Sequence, residues 1–261
     1  MTARFSTGLR NYVADKGSYR DALAGGMLEI YTGSQPTTAD AAPTGTLLTT
    51  ITDASGAHTN EILAQGTVTL TGGGSGSLNT ITVDGIDILG GAVAFDTSLA
   101  VTAAAAAVAI NANQSEPRYT AAVLSGAIIT ITAARGTGTE ANGLVVASTG
   151  TTITTTNVNM GTTTAGVDSV NGLRFGVASG GILNKLSSQT WSGVTGVTGT
   201  AGWFRFTGSV ADSGLLDSAG TEIRLDGAVS TSGQQLNMSS TSFVATATET
   251  ISAMPITLPA A

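Results

Sequence analysis

The chain has 261 residues, of which 41% are hydrophobic, 10% charged and 5% aromatic, with 35 glycines, no cysteine and a formal net charge of −7. A charged share far below the usual quarter, beside that apolar content, excludes a charged disordered tail, and the acidic balance argues against a surface built to neutralise nucleic-acid phosphates. Without cysteine there is no disulfide framework, thiolate zinc site or thiol chemistry. The length suggests one or two domains. Met1 to Arg10 holds no apolar run of the kind a secretory signal needs. The longest apolar stretch, around Ala103 to Ile110, is mostly alanine and too short to span a bilayer. Neither nucleic acid nor a membrane is expected as a partner.

In chain order, Ser18 predicts the start of a short helix with Asp21 in its first turn, ended by Gly25 and Gly26. Met27 to Thr32 and Thr46 to Thr52 read as strands separated by a turn-rich loop from Gly33 to Pro43. Strand candidates Thr67 to Thr71 and Thr80 to Asp84 flank Gly72-Gly73-Gly74-Ser75-Gly76, which reads as a flexible hairpin. One helix is predicted from about Leu99 to Asn113, starting after Thr97 or Ser98 and stopping before Pro117, with alanines that let it lie close to a sheet. Strands follow at Tyr119 to Leu124, Ala127 to Thr132, Leu144 to Ser148 and Thr151 to Thr155.

After Gly166 the pattern is all-β, with short strands at Leu173 to Val177, Thr190 to Gly193, Gly202 to Thr207, Glu222 to Leu225, Leu236 to Ser240 and Thr250 to Leu258. Trp203 and Arg205 alternate with Phe204 and Phe206, which predicts one apolar and one mixed face, with Trp191, Phe175 and Phe243 as companions in the core. The expected fold is mainly β: a β-sandwich-like discontinuous domain, residues 1–58 plus 168–261, interrupted at a loop tip by a small inserted α+β domain, residues 59–167.

Chemistry-bearing motifs are sparse. His58 is the single histidine, and a triad with Asp53 or Glu61 can be drawn on paper, but nothing resembles a nucleophile elbow. Asp84-Gly85-Ile86-Asp87 lacks the further oxygen ligands of a calcium loop and reads as a hairpin turn, as does Asp226-Gly227. The Gly72 to Gly76 stretch has neither the spacing nor the lysine of a nucleotide cradle. Glu29, Glu61, Glu116 and Glu140 are scattered rather than paired. The chain is therefore expected to be no enzyme, with no cofactor and no metal site.

Threonine-rich strands such as Thr151-Thr152-Ile153-Thr154-Thr155-Thr156 are β-prone and uncharged, and lysine, a common guard of sheet edges, occurs only at Lys16 and Lys185. Such edges are tolerated when other subunits cover them. The composition reads as that of an interface-rich structural subunit.

Arg4-Phe5-Ser6-Thr7-Gly8-Leu9-Arg10-Asn11, the run Leu23 to Pro36 with Ala39 to Leu48, and in the second half Thr190-Trp191-Ser192-Gly193, Gly199 to Phe206 and Ser232 to Ser240 together resemble a group of tailed-bacteriophage and prophage virion proteins. Val83-Asp84-Gly85, Leu89 to Val93, Ile110-Asn111-Ala112 and Ala141-Asn142-Gly143 are similar to a module found in phage structural proteins. The resemblance implies a non-enzymatic virion component, assembled in the host cytoplasm. Its first reading is a capsid cement or decoration protein whose partners are the major capsid protein or other virion subunits, with homo-oligomers in the particle. A tail or fibre subunit is the alternative. Arg4, Phe5, Leu9, Arg10, Tyr12, Tyr19 and Arg20 are the candidate interface, because aromatics and arginines are enriched at interfaces. A carbohydrate-binding attachment module requires Trp191 and Trp203 exposed on one groove, and a cell-wall hydrolase requires His58 or a carboxylate pair in a cleft.

Overall fold

The computed structural model describes residues 3–257. The fold is mainly β, and the chain divides into two compact units, Met1–Glu61 with Ser169–Ala261, and Ile62–Asp168. The elements are, in order, β1 (Arg4–Phe5), α1 (Thr7–Asp15), α2 (Tyr19–Leu23), β2 (Leu28–Thr32) and β3 (Leu47–Asp53). The second unit holds β4 (Gln65–Gly72), β5 (Ser77–Val83), β6 (Ile86–Asp87), β7 (Val93–Ala94), α3 (Leu99–Ala112), β8 (Thr120–Ser125), β9 (Ile128–Thr132), a 3-10 turn (Gly138–Ala141), β10 (Val146–Thr151) and β11 (Thr154–Val158). The first unit then resumes with β12 (Ile182–Leu183), β13 (Trp191–Val194), β14 (Gly199–Thr207), β15 (Arg224–Ser230), β16 (Leu236–Asn237), β17 (Ser242–Phe243), β18 (Thr248–Thr250) and β19 (Ile256–Thr257). Of the predicted strand Thr250 to Leu258, Leu258 lies outside the described residues.

The discontinuous unit is organised on a nine-stranded sheet in the order β1-β15-β14-β2-β3-β13-β18, with β16 added on β15 and β17 on β14; β12 and β19 form a separate two-stranded sheet. Strand alternation sends Phe204, Phe206, Leu28, Ile30 and Ile51 to one face, where they share a core with Phe175, Leu183, Trp191, Phe243 and Ile256. Phe175 meets Trp191 edge-on at 5.2 Å between ring centroids, and Phe206 lies 5.5 Å from Phe175 and 5.8 Å from Trp191. The β12–β19 pair contributes Leu183 and Ile256 to that same core.

Three local readings of this unit are corrected. No helix is predicted between Thr7 and Asp15, yet α1 forms there: the buried Ser6 hydroxyl accepts the Leu9 amide (3.1 Å), and Leu9 sits in the core. Asp226-Gly227 is not a turn but the middle of β15, opposite Arg205 and Phe204. Gly227 is required for space: a Cβ there would stand 2.6 Å from the Phe204 ring. Residues 173–177 form only isolated bridges, Gly26 with Leu173 and Phe175 with Lys185, rather than a strand.

In the inserted unit, β4 and β5 do not pair with each other, so the glycine run is no hairpin. They belong to two sheets, β11-β4-β9-β8 and β10-β5-β6, with β7 also on β5. The partners continue from Val158 opposite Thr67 to Val146 opposite Val83, so one long antiparallel ribbon folds at Gly72–Gly76 and passes from sheet to sheet. Asp84-Gly85 does make the expected tight turn, both residues at positive φ (50° and 81°), between β5 and β6. Helix α3, capped by Ser98, packs Ala103, Ala106, Ala107 and Ile110 into a core with Val68, Leu70, Ile129 and Ile131. Alanine at these positions lets helix and sheet approach closely.

Candidate interaction surface and the charged face of the sheet

The residues predicted to form an interface differ in their exposure. Arg10 and Arg20 are exposed, with Arg10 Nη2 donating to Thr7 Oγ1 (3.0 Å). Tyr12 and Tyr19 are half-buried against the core, and Tyr19 packs on Phe5 at 5.5 Å. Leu9 is fully buried in the core and offers nothing to a partner, a correction to its place in the candidate interface. The amphipathic α1 turns Leu9 inward because its cap and its only large aliphatic position in the first turn both face the sheet. Arg4 Nη1 donates to the Pro36 carbonyl, within the same unit. Beside Phe5 runs an apolar groove of about 280 Å³ lined by Phe204, Leu225, Met254 and Ile256.

The second face of the nine-stranded sheet, read from the sequence as mixed, carries a row of alternating charge. Arg4 lies opposite Asp226, Asp226 opposite Arg205, and Arg205 opposite Glu29 on adjacent strands. Arg205 grips Asp226 bidentately, Nε to Oδ1 and Nη2 to Oδ2, both at 2.8 Å, and the two side chains are 1% and 0% exposed. Arg205 Nη1 has no hydrogen-bond partner. Arg224, also fully buried, holds Asp212 through Nε (2.6 Å) and Nη2 (2.7 Å) and pairs with Glu222. Trp203 stacks on Tyr31 at 4.6 Å and 13°, with the Arg205 guanidinium 5.6 Å from the indole centroid.

Tyr31 donates to Glu29 Oε2 (2.8 Å). Burial pushes the Glu29 carboxyl above the usual carboxylate range; the Tyr31 hydroxyl, Arg205 and Arg224 pull it down, and Asp212 adds to the rise. Burial and the neighbouring Glu29 push the Tyr31 phenol up. A carboxyl raised in the folded state binds its proton more tightly than in the unfolded chain, so its contribution to stability is fully present at acid pH and is lost as pH rises through the raised value. Glu29→Gln keeps the acceptor for Tyr31 and removes that loss. Its thermal midpoint is expected to climb relative to wild type as pH rises from acid to mildly alkaline, with the gap smallest at acid pH; a gap independent of pH contradicts this account.

The tryptophans fail the condition set for sugar stacking, since Trp191 and Trp203 are both fully buried. His58 Nε2 donates to the Gly25 carbonyl (3.1 Å). The carboxylates of the paper triad are engaged elsewhere, Asp53 accepting the Thr190 amide (3.0 Å) and the buried Glu61 accepting the Ser209 hydroxyl (2.5 Å). Among the described residues no group of three or more histidines and carboxylates is gathered for a metal ion, and no helix is long and apolar enough to cross a membrane.

Two sheet edges are closed in part within the chain. The outer side of β15 is taken by β1 and β16. On β8 the Asn111 carboxamide mimics a strand, donating to the Ala121 carbonyl (2.8 Å) and accepting the Ala121 amide (2.9 Å). β10, β11 and β18 end their sheets with no further strand paired outside them among the described residues, and apolar surface stays open as well. Helix α3 carries no charged residue, and its outward side presents Ala100, Val101, Ala104, Ala105 and Val108, with Val108 68% exposed. Leu124 on β8 is 79% exposed. This surface had a sequence signal, the uninterrupted alanine run that leaves no polar side to the helix. No protein-family model, curated protein or solved structure matches the chain.

Proposed function

We propose that this chain is a structural component of a tailed-phage particle, in the first place a cement or decoration protein on the head shell. The observation that carries the subunit reading is the charge-free outer side of α3. A helix that is apolar all round is normally buried, and an open apolar surface marks an interaction site more often than a free one. The phage assignment rests on the resemblance of the segments Arg4 to Asn11, Leu23 to Leu48 and Gly199 to Phe206. In this role the chain works by bracing: a subunit that contacts two shell proteins opposes their separation, and an interface of about 1,600 Å² suffices for specific association. The partners are shell proteins and further copies of this chain, and the role needs no catalysis and no cofactor.

Particle imaging with averaging, together with quantitation of this chain in purified particles, tests the assignment. Copies spread over the whole shell support cement, copies confined to one vertex support a tail subunit, and absence from particles overturns both. Val108→Glu places a charge on the outer side of α3 without touching its core side. The variant is expected to keep the wild-type thermal midpoint within about 1 °C, as surface substitutions away from structural features do, while losing incorporation into particles.

A further inference from the structure

We propose that residues 33–45 form a lid, hinged at Gly33 and Gly45, that opens from the charged face of the sheet while the rest of the discontinuous unit stays folded. This goes beyond the assembly role above and does not depend on it. The lid runs from the end of β2 to the start of β3, and glycines at both ends sit at positive φ, 76° and 82°, where other residues are strained. Between them only Gln35, Pro36 and Ala39 are buried, and none of the lid's residues belongs to the hydrophobic core.

The lid is held instead by polar bonds to its backbone. Arg205 Nη2 donates to the Ala39 carbonyl (3.2 Å), Arg224 Nη1 to that of Asp40 (3.0 Å), Trp203 Nε1 to that of Thr44 (3.1 Å), and Arg4 to that of Pro36. The Asp40 carboxylate accepts the Thr7 amide (2.7 Å) and hydroxyl (2.8 Å) at the start of α1, and its carbonyl accepts the Asp217 amide (2.8 Å). Each bond is exchanged for one with water when the lid lifts. The groups uncovered are charged or amphipathic, Arg205, Asp226, Glu29, Tyr31 and Trp203, so opening returns hydration to ions that closure had stripped of it. Segments with few buried apolar contacts are the ones that open locally.

The two indole N–H groups give a direct test by hydrogen exchange in the intact chain. Trp203 Nε1 is bonded to the lid, whereas Trp191 Nε1 is bonded to the half-buried Gln189 through Oε1 (3.1 Å), away from the lid. Both rings are fully buried, so neither N–H exchanges without an opening. Trp203 is expected to exchange roughly ten-fold or more faster than Trp191, as sub-global opening precedes global unfolding, and Asp40→Ala is expected to speed Trp203 alone. Equal rates for the two indoles in the wild type would overturn the lid. An independent readout uses the absence of native cysteine: a thiol at Ala39→Cys, on the buried inner side of the lid itself, is expected to be modified faster than one at Ala22→Cys in the core. Equal modification rates would equally overturn the proposal.

Discussion

Truncating Asp226 to alanine is expected to lower the unfolding free energy of the discontinuous unit by about 3–5 kcal/mol, because removing one partner of a buried ion pair leaves the other charged and unpaired. Arg205 would then keep its guanidinium at 1% exposure with only the Ala39 carbonyl for a hydrogen-bond partner among its described bonds. Domain stabilities are commonly about 5–15 kcal/mol, so the loss is a large part of the total. The paired change Arg205→Met with Asp226→Leu is expected to recover most of it, since apolar residues of similar volume often replace a buried ion pair at little cost. Urea unfolding followed by tryptophan fluorescence is the appropriate measurement: both tryptophans, Trp191 and Trp203, lie in this unit, and a two-unit chain need not unfold in one step. A double variant as unstable as Asp226→Ala would show that shape, and not charge, governs this face.

The second large effect concerns the opposite face. Phe206→Ala is expected to cost about 3–5 kcal/mol through lost burial and the cavity left behind. The ring is fully buried and touches both Phe175 and Trp191, and these neighbours belong to other parts of the chain, so they cannot close the gap by a local shift. Leu215→Ala serves as the contrast, with an effect within about 0.5 kcal/mol, the usual range for exposed sites; Leu215 is 66% exposed. Similar losses at the two positions would mean that the core is not where the fold places it.

The two faces also show which features were legible in the sequence. Alternation from Trp203 to Phe206 is a local signal and fixes which residues share a face. What covers the mixed face is not local, because the lid and Arg4 come from distant stretches of chain. Helix α3 could be read from its alanines between Ser98 and Pro117, whereas α1 could not: Gly8 and Asn11 weaken its propensity, and its support comes from Asp40 and from burial of Leu9. The Asp226-Gly227 pair carried a turn signal that long-range demands overrode, an arginine for the aspartate and ring space for the glycine. The glycine run after β4 misled for the same reason, as the strands flanking it pair far along the chain, Gly72 with Thr154 and Ser77 with Thr151.

Of the threonine-rich segment Thr151 to Thr156, β10 and β11 remain end strands of their sheets, while Asn111, β1 and β16 close parts of two other edges, on β8 and β15, from within. To those edges the fold adds the outer side of α3 and Leu124, where apolar side chains are left uncovered. An interaction there is driven by apolar area, so it is expected to be broken by a single buried charge.

Co-sedimentation with purified particles from which this chain has been removed tests that claim most directly. Wild-type protein is expected to pellet with the particles, while folded Val108→Glu stays in the supernatant. Equal binding by the two proteins, or no binding by either, would contradict the account.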